Sequence, residues 1–322
     1  MEEREEEKPV LSQPRFLISR LSALGDTICS LPAAVALKRG FPECRITWVV
    51  DPRFAGIVEC CEAVDDVLMV RPSLKNIPTF DERFDAALDL QGLLKSALCI
   101  ARAKADRKVG YHWRREGAWF FSERILPDPT SFHVVDQYVD VAREIGGQMD
   151  RAEFMLKAKP EDVAAVQQRL AEKGVTGAFV VVNPGAGWAT KRWVPAYFAQ
   201  VIDALADEGI FSVLIGGSSA SDKSAAGEVL SACRSNPANL LGLTTVRELV
   251  ALIDRCSAHL GGDTGSTHLA AALGKPAIGL YSITKPIRTC PYGQIGRCLY
   301  DPVSLSAIRP EPVMNHLREA LA

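Results

Sequence analysis

Short apolar segments alternate with longer amphipathic ones along this chain, and that alternation predicts βα units built around a parallel sheet. In the first half, strands are expected at 15–20, 46–50, 64–70, 84–90 and 107–111, and helices at 27–40, 91–103 and 132–146. In the second half, strands are expected in FVVVNPG, FSVLIGG, AHLGG and PAIGLYS, with helices between them and in PVMNHLREALA. Glycine-rich turns follow several of these strands, at the edge where parallel sheets bind ligands.

The same pattern divides the chain into two α/β domains. The division falls in the polar segment around 150–177. We expect a disordered acidic tail at 1–12, a first domain at 13–160 and a second domain at 161–322, whose last helix can pack back on the first domain. A length of 322 residues is ordinary for two such domains.

The composition limits which binding partners and which cellular compartment we expect for this protein. The net charge of −2 gives no whole-protein reason to expect nucleic acid, so an anionic ligand needs a local cluster of positive groups. Nine cysteines stand without CxxC spacing, most of them in apolar segments, which indicates reduced, buried thiols in a cytoplasmic protein and no metal site. The charged N-terminus lacks a signal-peptide pattern, and no apolar segment approaches the roughly 20 residues that cross a bilayer. We expect a soluble protein, peripheral to a membrane at most.

The first motif that suggests chemistry is SALGD, directly after the first strand. Gly25 allows a tight turn, and Asp26 is then expected at or near the N-terminus of the following helix. Asp26 is either the N-cap of that helix or a general base in the cleft between the domains. The sequence alone leaves both roles open.

Two glycine-rich loops in the second half are typical of phosphate binding. In NPGAGWATKRW, Gly185 precedes Thr190 and Lys191, which can bind and neutralise a diphosphate, although a lysine before a helix is commonly just solvated. The spacing is not that of a P-loop. In GGDTGSTH, Asp263 is either a turn residue or a ligand contact, and His268 either a core histidine or a ligand contact. Two such loops favour a ligand with two phosphates.

A basic and aromatic stretch distinguishes the first half. It is either an ordinary charged surface with core aromatics or a docking surface for an anionic amphiphile. Its members are Arg102, Lys104, Arg107, Lys108, Tyr111, His112, Trp113, Arg114 and Arg115, followed by Trp119, Phe120, Phe121 and Arg124.

Taken together, the chain resembles the lipopolysaccharide heptosyltransferase family. The resemblance rests on ISRLSALGDTICSLPAAVALKRGFP, DLQGLLKSA, NPGAGWATKRWVPAYFAQVIDAL and GGDTGSTHLAAALGKPAIGLYSITKP, in that order over nearly the whole chain. It implies a GT-B fold, in which two Rossmann-like domains face a cleft. It also implies transfer of L-glycero-D-manno-heptose from ADP-heptose to the Kdo/inner core of lipopolysaccharide, with inversion, without a required metal and with no cofactor. The acceptor, Kdo-lipid A, would be bound by the first domain, and contact with the inner face of the inner membrane is possible on that account.

The resemblance also carries residue roles, each at the matching position of this chain. Asp26 corresponds to the general base and Lys191 to the residue that holds the departing diphosphate. The residues implied to contact the donor are Gly185, Thr190, Lys191, Asp222, Thr244, Asp263, Thr264, Gly265 and His268, with the adenine near 243–245. The residues assigned to the acceptor are Ser22, Lys95, Arg114, Arg115 and His133.

Some alternatives stay open within and outside this family. SALGD followed by SLPA is more similar to heptosyltransferase I than to heptosyltransferase II, whereas YSITKP and Ser266 depart from the common pattern beside the donor. A related transferase with another nucleotide-sugar or core acceptor is the first alternative. A nucleotide-sugar epimerase or hydrolase, or a non-catalytic nucleotide-binding protein, is less favoured because Asp26, Lys191 and the basic stretch are all present. A Rossmann dehydrogenase is disfavoured because no GxGxxG follows the first strand.

Overall fold

Two parallel sheets, each six-stranded, form the frame of the protein in the computed structural model, which describes residues 13–71, 73, 76–185 and 192–322. The strands of the first sheet are β1 (Arg15–Ser19), β2 (Arg45–Val50), β3 (Asp66–Met69), β4 (Arg83–Asp89), β5 (Lys104–Tyr111) and β6 (Glu123–Ile125). Those of the second are β7 (Phe179–Asn183), β8 (Phe211–Leu214), β9 (Ala238–Asn239), β10 (Ala258–Gly262), β11 (Ala277–Tyr281) and β12 (Cys298–Tyr300).

Both sheets have the same strand order. The first runs β3-β2-β1-β4-β5-β6 and the second β12-β11-β10-β7-β8-β9, so each half is a doubly wound unit. The central strands are buried on both faces because helices cover each side, which explains why RITWVV and FVVVN are almost continuously apolar. The predicted α/β class with two parallel sheets is confirmed.

Helices connect the strands in both halves. Those of the first half are α1 (Leu24–Gly40), α2 (Ala55–Glu59), α3 (Leu94–Arg102) and α4 (Val134–Arg143). Those of the second half are α5 (Pro160–Glu172), α6 (Pro195–Asp207), α7 (Ala220–Ala232), α8 (Val246–Arg255), α9 (Gly265–Ala272), α10 (Pro286–Thr289) and α11 (Pro310–Leu321).

The segment between the halves is more ordered than its polar sequence indicates. Backbone amides of Glu62 and Lys157 donate to the carbonyls of Met155 and Cys60, so 155–157 still pair with the first half. Helix α5 then packs on α8 of the second half. The chain therefore crosses to the second half just before Pro160.

The last helix lies on its own half. Val313, Met314 and Leu317 of α11 are buried against the core of the second sheet, and α11 contacts α6, β10 and β11. The expectation that this helix packs back on the first domain is therefore wrong. Because the second half already buries the apolar face of α11, this helix does not need the first domain to cover that face.

The cysteines agree with the sequence expectation. All nine cysteines are free thiols and most are buried in the core, as expected. Within the described ranges, no helix is both long enough and apolar enough to cross a membrane.

Helix α1 is the element on which the first half is assembled. Its residues from 27 to 37 are all buried, because it packs on α4 and on α9 of the other half as well as on its own sheet. At its C-terminal end, a Cβ added to Gly40 would lie 2.1 Å from the carbonyl oxygen of Gly146. Gly146 has a φ of +98°, and its own added Cβ would lie 2.7 Å from the ring of Phe41. Glycine is required at both positions for α1 and the turn after α4 to meet.

Gly146→Ala is expected to lower the free energy of unfolding by about 2–4 kcal/mol. The added methyl group must displace the Phe41 ring, and alanine must also adopt a left-handed backbone. Gly174→Ala is the matched control, because Gly174 has a φ of +72° but nothing within 4 Å of its added Cβ. The free energy of unfolding of that control should fall by only about 1–2 kcal/mol, because alanine must adopt a left-handed backbone. Urea denaturation followed by circular dichroism measures both, and equal losses would contradict the packing argument.

Candidate active site

A cleft of about 510 Å³ lies between the carboxyl ends of the two sheets. Both sheets reverse their strand order here, between β1 and β4 and between β7 and β10, and open α/β sheets bind ligands at such points. The lining residues come from both halves: Ala23, Leu24, Gly25, Phe54, Asn183, Gly185, Gly216, Gly217, Ser219, Ser221, Asp222, Asp263, Thr264 and Gly265.

The N-termini of three helices open onto this cleft. Helix α1 begins at Leu24, α7 at Ala220 and α9 at Gly265, each beside lining residues. The side chains of the N-cap residues of α1 and α9, Ala23 and Thr264, accept no capping hydrogen bond from the first-turn amides of their helices. Free backbone amides and the positive ends of helix dipoles make such a place favourable for an anion, above all for a diphosphate.

Glycine brings α1 and α9 together at the cleft. A Cβ added to Gly25 would lie 3.0 Å from Cδ2 of His268, and one added to Gly265 would lie 2.9 Å from Cδ2 of Leu24. A side chain at either position would push the two helices apart. The SALGD and GGDTGSTH segments thus form the two sides of one contact between the halves.

Asp26 lies in the first turn of α1, and its side chain is 55% exposed. The helix begins before it, at Leu24, with Ala23 as the N-cap. The N-cap interpretation of Asp26 is therefore wrong. Instead, Oδ2 of Asp26 lies 2.8 Å from Nη2 of Arg20, whose own side chain is only 5% exposed. Sequence reasoning missed Arg20, and the available signal was a single charged residue directly after the apolar strand RFLIS.

On the opposite wall, a buried polar network shapes the start of the loop after β7. Nδ2 of Asn183 donates to Oγ of Ser266 at 2.8 Å, and Oδ1 of Asn183 accepts from the amide of Gly185 at 3.0 Å. Nε2 of His259 lies 2.9 Å from the same Ser266 hydroxyl. Ser266 therefore has a defined partner set, which a larger apolar residue at this position would displace.

The comparisons with known proteins agree with this architecture. The profile of glycosyltransferase family 9 (heptosyltransferase) matches residues 79–304. Lipopolysaccharide heptosyltransferase 1 of Pseudomonas aeruginosa is 30% identical over 301 residues, which cover 87% of this chain and 82% of the relative. The chain belongs to glycosyltransferase family 9.

Solved structures extend the similarity to the fold. A family 9 glycosyltransferase from Veillonella parvula superimposes with a TM-score of 0.84 at 20% identity, covering 96% of this chain and 97% of that one. The Escherichia coli heptosyltransferase WaaC with ADP gives a TM-score of 0.76 at 23% identity, covering 95% and 99%. The predicted GT-B fold and the predicted enzyme class are confirmed.

In this glycosyltransferase His268 lies beneath Gly25 rather than in the lining of the cleft. Its ring is 9% exposed, and Nε2 lies 3.4 Å from Oδ1 of Asp263. Burial alone lowers the pKa of His268, but Cys29 and Asp263 together raise it well above the ordinary histidine value. His268 therefore supports Asp263, which does line the cleft, and the prediction that its side chain contacts the donor is not supported.

The other predicted donor residues fall into three groups. Gly185, Asp222, Thr264 and Gly265 line the cleft as expected. The Asp222 carboxylate accepts from Oγ of Ser219 at 2.7 Å, at the start of α7. Thr244 is half-buried just before α8 and is not part of this lining. Thr190 and Lys191 lie outside the described residues.

The predicted acceptor residues are brought together only in part. Oγ of Ser22 accepts from Nε2 of Gln91 at 3.3 Å beside the cleft. Lys95 and Arg115 are exposed, and Nη1 of Arg114 donates to the carbonyl of Ser122 at 2.6 Å.

His133 is not free to bind an acceptor. It is buried as the N-cap of α4, where Nδ1 accepts from the amide of Val135 at 3.2 Å. Its Nε2 lies 2.8 Å from the carbonyl oxygen of Cys290 in the other half. The assignment of His133 to the acceptor is therefore wrong, because both ring nitrogens connect parts of the protein.

The basic and aromatic stretch divides into a structural part and an exposed part. Arg107 pairs with Glu123 at 2.9 Å, and Lys108 donates to the carbonyl of Ala101 at 2.8 Å. The side chains of these two residues of β5 are thus bound to other groups of the protein. Trp113, Trp119 and Phe120 are exposed, and Phe120 most of all at 78%. The first part agrees with the ordinary charged surface, and for the exposed part the docking surface stays a prediction.

Arg288 of the second half completes the exposed part, and no local sequence pattern indicated it. Its guanidinium carbon lies 4.4 Å from the centroid of the Trp113 ring, and Nη2 donates to the Tyr111 hydroxyl at 2.7 Å. A cation from the second half thus reaches the aromatic surface of the first half.

Among the residues that the structure describes, no group of three or more histidine, cysteine, aspartate or glutamate side chains is arranged to hold a metal ion. The chemistry available at the cleft comes from Asp26, Arg20 and the backbone amides at the helix N-termini.

The His259 network predicts a measurable pH dependence of stability. Burial and then the positive charge of His268 lower the pKa of His259 to about 3, from an ordinary value of 6.5. Below pH 6.5 the unfolded chain takes up a proton that the folded chain does not, so stability falls as the pH falls, by about 1.4 kcal/mol per pH unit. Between pH 7 and pH 5 this group alone should remove about 2 kcal/mol.

His259→Gln should remove that contribution, because glutamine can keep the bond to Ser266 but cannot be protonated. Urea denaturation at pH 5 and pH 7 measures the difference. Between pH 7 and pH 8 the two proteins should show the same dependence. An identical loss for both proteins from pH 7 to pH 5 would contradict a neutral, buried His259.

Proposed function

We propose that this chain transfers a heptose, with inversion, from ADP-L-glycero-D-manno-heptose to the Kdo/inner core of lipopolysaccharide. One observation carries the proposal: a half-exposed carboxylate, Asp26, stands beside a cleft onto which three helix N-termini open. The helix N-termini suit a diphosphate, and the carboxylate suits a hydroxyl that must lose its proton. Binding of ADP by the related Escherichia coli heptosyltransferase supports the choice of nucleotide.

The donor would lie on the wall of the second half. Amides at the starts of α7 and α9 and beside Gly185 would bind the diphosphate, where Gly217 and Gly265 allow close approach. Lys191 would add a positive charge, by analogy with the family motif. The adenine would extend toward 243–245, before the N-terminus of α8.

For these groups we infer the following reaction. Asp26 takes the proton of the acceptor hydroxyl, and the hydroxyl oxygen forms a bond to the anomeric carbon of the heptose. The bond from that carbon to the diphosphate oxygen breaks on the opposite face, and its electron pair leaves with ADP. The amides that face the diphosphate stabilise the charge that develops on it.

The acceptor would approach over the exposed face of the first half. Lys95 and Arg115 are exposed there and would meet the carboxylate of Kdo or the phosphates of lipid A. Trp119 and Phe120, whose rings lie 5.6 Å apart, are exposed and suited to the interfacial layer of a membrane. We therefore include peripheral contact with the inner face of the inner membrane in the proposal, and addition of the first heptose to Kdo, as in heptosyltransferase I.

Asp26→Asn is expected to lower kcat about 10³-fold, within the roughly 10²–10⁴-fold range that general base catalysis supplies. Binding of ADP should stay unchanged, because the amide retains the shape of the carboxylate. Transfer from ADP-heptose to a Kdo-lipid A acceptor measures kcat, and titration calorimetry with ADP, UDP and GDP measures the choice of nucleotide.

Asp254→Asn is the matched control, since the Asp254 side chain is 51% exposed, close to the 55% of Asp26, but lies at the end of α8 away from the cleft. Asp254→Asn should leave both kcat and the binding of ADP unchanged. An active Asp26→Asn enzyme would remove Asp26 from the base role. Preference for UDP or GDP would keep the fold and mechanism but favour the alternative of a related transferase with another donor.

Replacing Lys95 and Arg115 together by glutamine should raise KM for the acceptor about tenfold and leave KM for the donor unchanged, because two charge-assisted contacts to anionic groups are lost. Lys173→Gln combined with Arg255→Gln removes the same charge from exposed positions away from the cleft and serves as the control. Steady-state kinetics with each substrate varied in turn separates the two KM values. A rise in KM for the donor alone would place the acceptor elsewhere.

A further inference from the structure

A buried arginine stands directly behind the proposed base. Arg20 follows β1, and only 5% of its side chain is exposed, whereas Asp26 is 55% exposed. Its Nη2 lies 2.8 Å from Oδ2 of Asp26. Removing a guanidinium group from water is costly, and an ion pair whose carboxylate is more than half exposed adds little stability. The pair therefore calls for an explanation other than stability.

The remaining contacts of Arg20 fix its direction. Nη1 donates to the carbonyl oxygen of Leu90 and to the hydroxyl of Tyr138, the latter at 2.9 Å. The Tyr138 ring centroid lies 5.3 Å from the guanidinium carbon. One edge of the guanidinium is thus anchored in the first half, and the other edge faces Asp26.

Other titratable groups surround Arg20, and they leave Asp26 as its ion-pair partner within the described part of the chain. Burial raises the pKa of Asp89, although amides of Gly92 and Gln91 and the Ser96 hydroxyl oppose the rise. Burial also raises the pKa of Tyr138, so its hydroxyl stays protonated. Cys29 and Tyr111 are the further titratable neighbours.

The charge of Arg20 itself is secure. Burial opposes it, but Tyr138, Asp26, Cys29 and Asp89 together raise its pKa above the ordinary arginine value. A cation held 2.8 Å from Asp26 restricts the rotation of its carboxylate.

We propose that Arg20 is a positioning residue, which holds one oxygen of the Asp26 carboxylate so that the other meets the acceptor hydroxyl. The inference rests on the proposed role of Asp26 as the base. A carboxylate that is held in one orientation is correctly placed when the acceptor arrives.

Arg20→Gln is expected to lower kcat about 10- to 100-fold, a part of the effect of a general base, with both KM values changed by less than about twofold. Because both substrates keep their own contacts, the loss should fall on kcat and not on either KM. Arg20→Lys keeps the positive charge beside Asp26 and should recover most of the rate. Loss of a purely structural residue would not be confined to kcat and restored by lysine in this way.

Tyr138→Phe provides a second variant if Arg20→Gln fails to fold. It keeps the aromatic ring but removes the hydroxyl that accepts from Arg20. It should lower kcat by less than Arg20→Gln does and leave both KM values within about twofold. An unchanged kcat in every folded variant would overturn the proposal.

A double-variant experiment separates this inference from the proposed function. In the Asp26→Asn enzyme, adding Arg20→Gln should cause no further loss of kcat, because the two residues act as one unit. Independent, multiplied losses would overturn the positioning role while leaving Asp26 as the base. Full activity of Asp26→Asn alone would overturn the base role itself, and the positioning role with it.

Discussion

The contact between the N-termini of α1 and α9 is the constraint on which the site depends. Gly25 meets His268, and Gly265 meets Leu24, at distances that leave no space for a Cβ. Because the two helices belong to different halves, this contact holds the halves together and also aims two sets of free amides at one cleft. It places Asp26, one residue after Gly25, at the border between the two walls. The two glycines therefore have a structural role. They allow α1 and α9 to approach each other, and this approach places the neighbouring residues at the cleft.

The fold could be predicted from the sequence wherever an element was long enough to show a period. Strands β1, β2, β4, β5 and β7 were all expected, because each carries several consecutive apolar residues between the turns. The missed strands were the short ones at sheet edges: β6 (Glu123–Ile125), β9 (Ala238–Asn239) and β12 (Cys298–Tyr300). Two or three residues show no alternation, and their pairing depends on neighbours that are distant in sequence. Helix α5 was missed for another reason, since its exposed face makes the segment polar as a whole.

The site was predicted where local sequence determines it and missed where the chain folds back. Asp26 was placed correctly after the first strand, but its helix begins earlier than the apolar pattern indicates, so it is not the N-cap. His133 was misassigned because its partner, the carbonyl of Cys290, lies 157 residues away in sequence. Arg288 was missed because only the tertiary fold brings it to Tyr111 and Trp113. Local motifs predicted which strand ends face the cleft, but not which side chains meet across it.

The two substrates place different electrostatic demands on a chain whose net charge is only −2. At the cleft, helix N-termini supply a positive field from backbone amides, which need no counter-ion and do not repel one another as a cluster of lysines would. On the exposed face, full charges such as Arg115 suit a large anionic acceptor, since they can adapt to its shape. Arg20 belongs to neither group, because it is buried and directed at a carboxylate of the protein itself. The direction of Arg20 toward Asp26 rather than toward a substrate is consistent with the proposal that this arginine positions the carboxylate.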